Sequence, residues 1–245
     1  MNVLDGVNLK IARARKHFED LDQMVKSFFK VNPYRITREF DSDRGQNIFR
    51  VTEEPKAIPP DCGVIVGDMV YNFRSALDIL ANRLVEANGG KATRTTAFPI
   101  FQSPDGWRRR SGNKVAGMYA AHVALIRSEQ PCFAKNTHRG QFLWYLEDIC
   151  NGDKHRNVTL VAAASIGGGI DPPFPVGHDE VFFYNGPVEK DTIICRVPGP
   201  DTDVNLGYFP DVAFGSRGPA AGVSVAEFYH TINYVVPDIV SKYHL

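Results

Sequence analysis

Chemistry is concentrated on one face of a single stretch, residues 66–84. With 100° per residue, Asp68, Tyr71, Asn72, Arg74, Ser75, Asp78 and Asn82 share an arc of about 160° on a helix. This face has no lysine, and a lone glutamate, Glu86, lies at its end. Solvated helix faces usually carry Lys and Glu, whereas Asp, Asn and Ser are poor helix formers. Their presence points to a polar neighbour: a ligand, another helix end or a second subunit. Arg74 is a permanent cation with a planar fork of donors that suits carboxylate or phosphate. With Asp78 one turn on, it is a candidate catalytic pair, and Asp68 and Asn72 are candidate ligand-binding groups. The plainer alternative is an Arg74–Asp78 surface pair four residues apart, worth about 0.2–0.5 kcal/mol.

The second constellation is Asp153-Lys154-His155-Arg156. It lies between a predicted helix over 138–150 and a predicted strand. Gly152 reads as the residue just past the helix, so the four charges occupy a tight connection. Lys154 and Arg156 disfavour a charged His155, while Asp153 opposes them. A neutral imidazole is what a general base needs. His155 is therefore a candidate catalytic residue, with Asp153 and Arg156 as candidate ligand-binding residues. The alternative is a solvated turn whose cations cap the helix carbonyls. Together the two constellations predict one polar cluster of Asp68, Asn72, Arg74, Asp78 and His155 where helix meets sheet.

Other combinations carry less. His178-Asp179-Glu180 has no spaced third ligand, so no metal is expected. Gly167-Gly168-Gly169 does not lead from a strand into a helix, and no cofactor motif occurs. Trp107 beside Arg108-Arg109-Arg110 has the types for stacking and pairing with nucleic acid. It also reads as an aromatic edge beside solvated arginines.

The elements that must position these residues follow from periodicity. Leu9, Phe18, Leu21, Val25 and Phe28 recur at near-helical spacing over 7–29, and Asn32-Pro33 ends that helix. Tyr34 to Thr52 reads as a hairpin around 41–45. The long helix runs from about Asp61 to Ala87 and stops at Asn88-Gly89-Gly90. Its apolar arc of about 140° holds Val66, Met69, Val70, Phe73, Ala76, Leu77, Leu80, Ala81 and Leu84. Helices are expected over 113–129 and 138–150. Strands follow at Val158–Ala163, Val181–Tyr184, Thr192–Val197 and Val204–Phe209, spaced as in an antiparallel meander. A last helix spans roughly Ser224 to Tyr243, with Ser224 and Glu227 in a capping-box pattern.

Composition sets the frame. The 245 residues hold 28 Lys+Arg and 28 Asp+Glu, so the net charge is zero, and 43% are hydrophobic. A strongly basic nucleic-acid module and a disordered chain are both excluded as whole-chain descriptions. Locally, Trp107 to Arg139 holds seven Lys/Arg and one acid, while Asp171 to Asp211 holds eight acids and two bases. This predicts a basic surface for RNA or a small anionic ligand, or two segments that neutralise each other. The N-terminus has no secretory apolar run and no stretch is long enough to span a bilayer, so no membrane association and a cytoplasmic location are expected. Cys62, Cys132, Cys150 and Cys195 are widely spaced and read as free thiols. With neither internal repeat nor flexible linker, the expectation is one α+β domain over 1–245, a helical bundle-like layer on an antiparallel sheet. It is helix-rich over 1–155, β-rich over about 157–214, and helical again over about 224–243.

Three motifs resemble those of a widespread group of uncharacterised bacterial and phage proteins. Gly67 to Asp78 matches its G-D-x-x-x-N-x-R-S-A-L-D signature, Phe98-Pro99-Ile100 its F-P-I element, and Asn151 to Arg156 its N-x-D-K-H-R element. They keep their order and cover about 60–160, and the resemblance implies no activity. A looser resemblance is to the R-x4-6-H signature of HEPN ribonucleases. In that superfamily an arginine and a histidine from two facing protomers act on RNA without metal. It implies an RNA-associated homodimer centred on Arg74. The matching histidine position is Ile79, which can neither give nor take a proton, so a weakened ribonuclease is implied. The competing expectation is a small-molecule enzyme or ligand-binding protein with a polar pocket between the long helix and the sheet.

Overall fold

The computed structural model describes residues 3–31, 34–153, 158–165, 170–171, 181–201, 205–206 and 209–243. Its helices are α1 (Asp5–Phe29), α2 (Pro60–Ala87), α3 (Pro104–Arg110), α4 (Gly112–Val115), α5 (Ala120–Ser128), α6 (Thr137–Asp153) and α7 (Val225–Ser241). Its strands are β1 (Ile36–Asp41), β2 (Gln46–Val51), β3 (Leu160–Ser165), β4 (Ile170–Asp171), β5 (Phe182–Phe183), β6 (Gly186–Pro187), β7 (Ile193–Pro198), β8 (Asn205–Leu206) and β9 (Phe209–Phe214). The fold class is α+β, with every strand pair antiparallel. No described helix is long and apolar enough to cross a membrane.

The chain divides into two compact units. One holds the segments up to Leu21, Val64–Val158 and from Glu227 onward; the other holds Asp22–Gly63 and Thr159–Ala226. The first is helical. Its core is built by Val66, Met69, Val70, Phe73, Leu77, Leu80 and Leu84 of α2, all 0% exposed. Ile126 of α5, Leu143 and Leu146 of α6, and Phe228, Ile232 and Ile239 of α7 join them in full burial. In α1 the buried stripe is Val7, Ile11, Ala14, His17 and Leu21, so Leu9 is left 70% exposed. Phe18 stacks flat on Tyr229 with ring centroids 3.6 Å apart, tying the first helix to the last.

The second unit contains the strands. One sheet has the order β1-β2-β7-β5, a second β6-β3-β9, and β4 pairs with β8 alone. A meander would pair sequence neighbours. Instead β7 joins the N-terminal hairpin, with Asn47 opposite Val197, and β9 returns to β3. Phe49, Cys195 and Val197 form a buried cluster flanked by Ile36, Val181 and Phe183. Burial pushes the Cys195 thiol up to about 12, so it stays protonated, and none of the four cysteines is in a disulfide.

Several expected boundaries shift for local reasons. The expected helix over 113–129 is two pieces, because Gly117 takes a φ of 86° between α4 and α5. Helix α3 was not expected, although Ser103 caps it by accepting from the Gly106 N–H and Pro104 begins it. The α2 stop is as expected: Gly89 has a φ of 73°, and the Gly90 N–H bonds back to the Val85 carbonyl. Helix α6 runs past its expected end, so Gly152 is helical and Asp153 is its last residue.

Candidate functional site

Two polar assemblies stand on the helical unit, and the sequence-predicted residues divide between them. Arg74 anchors the first. Though charged, it is 7% exposed. Its Nε donates to Glu147 Oε2 at 2.7 Å, Nη1 to Asp78 Oδ1 at 2.8 Å, and Nη2 to the Phe98 carbonyl at 2.8 Å. The Phe98 N–H in turn donates to Asp78 Oδ1 at 2.9 Å. All three guanidinium nitrogens are engaged. Burial raises the Asp78 carboxyl above its ordinary value and Glu147 adds to this, against the opposing pull of Arg74, the Phe98 N–H and Lys114. A buried side chain holds the rest of the loop. Gln130, 0% exposed, donates to the Pro99 carbonyl at 2.7 Å and accepts from the Phe101 N–H at 3.0 Å. The Phe98-Pro99-Ile100 element is thus an extended loop whose backbone groups are clasped by Arg74, Asp78 and Gln130.

The second assembly lies around Asp68. Asn72, 7% exposed, donates to the Asp68 carbonyl at 2.8 Å and accepts from Lys10 Nζ at 3.3 Å. Lys10 also sits over the Tyr71 ring, 5.4 Å from its centroid. Asp153 comes from the end of α6 and lies directly against Gly67. A Cβ added at Gly67 would fall 2.7 Å from both Asp153 carboxylate oxygens. A glycine is required there because a carboxylate occupies the space of a side chain. Burial raises the Asp153 carboxyl, and the charge of Asp68 raises it further. His17, on the buried stripe of α1, is held below its ordinary value by burial and then by Arg13, with Asp68 and Asp20 opposing. Asp68 thus acts on an imidazole from one helix and a carboxyl from another.

The structure therefore brings Asp68, Asn72 and Asp153 into one assembly and Arg74 with Asp78 into another. His155 and Arg156 lie outside the described residues, as do His178-Asp179-Glu180 and Gly167-Gly168-Gly169. Sequence reasoning missed Lys10, His17, Glu147 and Gln130. A signal for His17 existed: spacing of 7, 11, 14, 17 and 21 places it among apolar residues, where an imidazole needs a reason. Ile79 packs near the first turn of α1, its Cγ2 3.6 Å from where a Cβ on Gly6 would stand.

Four arginines of the basic segment have partners close by in sequence. Arg108 and Arg109 both bridge to Asp105, the latter at 2.9 Å. Arg110 lies over Phe101 and Arg127 over Phe133, at 4.9 and 4.4 Å from the ring centroids. Trp107 meets Phe101 and Phe133 edge-on. Among the described residues no group of three or more His, Cys, Asp or Glu side chains could hold a metal ion. No family model, curated protein or solved structure matches the chain.

Proposed function

We propose that the protein is a small-molecule enzyme whose proton-transfer site is the assembly of His17, Asp68, Asn72 and Asp153. The observation that carries this reading is the pair of opposed perturbations around Asp68. Burial lowers the proton affinity of the His17 imidazole and raises that of the Asp153 carboxyl, which draws a base and an acid towards each other. The charge of Asp68 favours a substrate with an amine or similar cation. Asn72, held between Lys10 and the α2 backbone, offers a fixed amide for orientation. Arg74 and Asp78 then serve as scaffold, not as chemistry.

The test is a turnover screen with small amides and amine-bearing nucleosides, followed by mass spectrometry. His17→Ala and Asp153→Asn should each abolish any turnover found while leaving the melting transition in place. Turnover that survives both substitutions would sink the proposal.

The RNA reading rests on Arg108 and Arg109, whose side chains are 74% and 73% exposed beside Trp107. A homodimer facing through α2, as the HEPN resemblance implies, would need Arg74 to meet phosphate, and each of its three guanidinium nitrogens already donates to a carboxylate or a carbonyl. RNA binding measured at low and high salt separates the readings, because phosphate contacts weaken steeply with salt. Salt-sensitive binding lost on replacing Arg108 and Arg109 would favour RNA.

A further inference from the structure

Away from Arg74 and Asp68, the helical unit contains a third polar assembly where α5, α6 and α7 meet. Its centre is Glu129, 6% exposed, at the end of α5. Glu129 accepts from Arg139 Nε at 2.9 Å and from Lys242 Nζ at 2.5 Å. Asp238 accepts from the same two cations, at 2.6 Å from Arg139 Nη1 and 3.2 Å from Lys242. Two cations and two anions make the set neutral. Beside it lies Tyr243, 4% exposed, whose ring meets that of His122 edge-on with centroids 5.5 Å apart.

Three polar atoms of these side chains are buried and have no hydrogen-bond partner among the described residues: His122 Nδ1, Arg139 Nη2 and Tyr243 Oη. Buried polar groups are nearly always satisfied, and leaving one unmade is costly. Three such atoms around one ion network mark a shared need. Their chemistry defines the complement. Arg139 Nη2 can only donate. Burial and the nearby Glu129 push the tyrosine hydroxyl up, so it remains a donor. His122 Nδ1 accepts when the proton sits on Nε2. One oxygen that accepts two hydrogen bonds and gives one would complement all three. The neutral charge balance favours an uncharged group over an ion.

We propose that the α5–α6–α7 junction is a closed binding site for a neutral oxygen group, held by Tyr243, Arg139 and His122. A hydroxyl or primary carboxamide on a small molecule satisfies it, and so does one tightly held water. This site is independent of the assembly around Asp68.

The experiment uses the whole chain. Acetamide is titrated in while the His122 and Tyr243 side-chain resonances are followed, with sodium acetate as the charged control. Saturable shifts with acetamide, absent with acetate and absent in Tyr243→Phe, establish an organic ligand site. Without such shifts, a slowly exchanging Tyr243 hydroxyl proton with a cross-peak to water establishes the held water. In either case Tyr243→Phe should lower the melting temperature by about 2–4 °C or more, since it strips one hydrogen bond from a buried site. Acetate binding as well as acetamide overturns the neutral assignment. An unmodified protein with neither acetamide shifts nor a water cross-peak overturns the site altogether, even if Tyr243→Phe fails to fold.

Discussion

Gly67 and Asp153 form the sharpest test at the level of single residues. Gly67→Ala should gain helix propensity, roughly 1 kcal/mol, yet destabilise, because its methyl group meets the Asp153 carboxylate. In an Asp153→Ala background the same substitution should become neutral or stabilising. A double-mutant cycle in denaturant reads this coupling directly, and additive effects would disprove the contact. A second expectation concerns His17. Its folded value is depressed below the ordinary 6.5, so the unfolded chain binds the proton more readily. Stability from this group is present above pH 6.5 and lost as pH falls from there through the lower folded value. His17→Gln should reduce the difference in melting temperature between about pH 7.5 and about pH 5.5. Much of this site was legible from residue type alone: Asp68, Asn72, Arg74, Asp78 and Asp153 all have polar roles in the structure. What could not be read was their partition. Which carboxylate Arg74 meets depends on Glu147, 73 residues away, and no local spacing encodes that.

Among elements, α2 shows how far periodicity reaches. Every residue of its expected apolar arc is 0% exposed, because a stripe of nine apolar side chains admits one inward orientation. Phe73→Ala and Leu77→Ala should each cost about 2–5 kcal/mol in denaturant melts. The loop at 98–101 gives a different expectation. Gln130→Leu keeps much of the volume but leaves the Pro99 carbonyl and the Phe101 N–H without their buried partner, which should cost about 2–4 kcal/mol. A loss below about 0.5 kcal/mol would mean that the clasp is not needed. Strands were harder to read than helices. The strands expected at 158–163 and 192–197 correspond to β3 and β7, yet their partners could not be read. β7 lies beside β2 across about 150 residues of sequence, and long-range pairing leaves no periodic trace. The short helix α3 escaped notice because seven residues are too few for a repeat, although Ser103-Pro104 announced its start.

For the whole molecule, the order of segments matters more than their number. The chain crosses between its two units at Leu21/Asp22, Gly63/Val64, Val158/Thr159 and Ala226/Glu227. Three of these crossings fall within α1, α2 and α7. The uninterrupted piece 64–158 contains most of the helical unit, but lacks Val7, Ile11 and Leu21 of α1 and Phe228, Ile232 and Ile239 of α7. Expressed alone, it should show helical circular dichroism without cooperative melting or dispersed amide resonances. A fragment 64–158 that melts cooperatively would place the core elsewhere. The stack of Phe18 on Tyr229 also bears on synthesis. A ribosome delivers α1 before α7, so Phe18 must wait for all the intervening chain before Tyr229 exists. At about 5–20 residues per second, that delay lasts roughly ten seconds or more, with the apolar stripe of α2 uncovered meanwhile. A nascent chain stalled before residue 225 should therefore recruit chaperones, and extension through α7 should end that association.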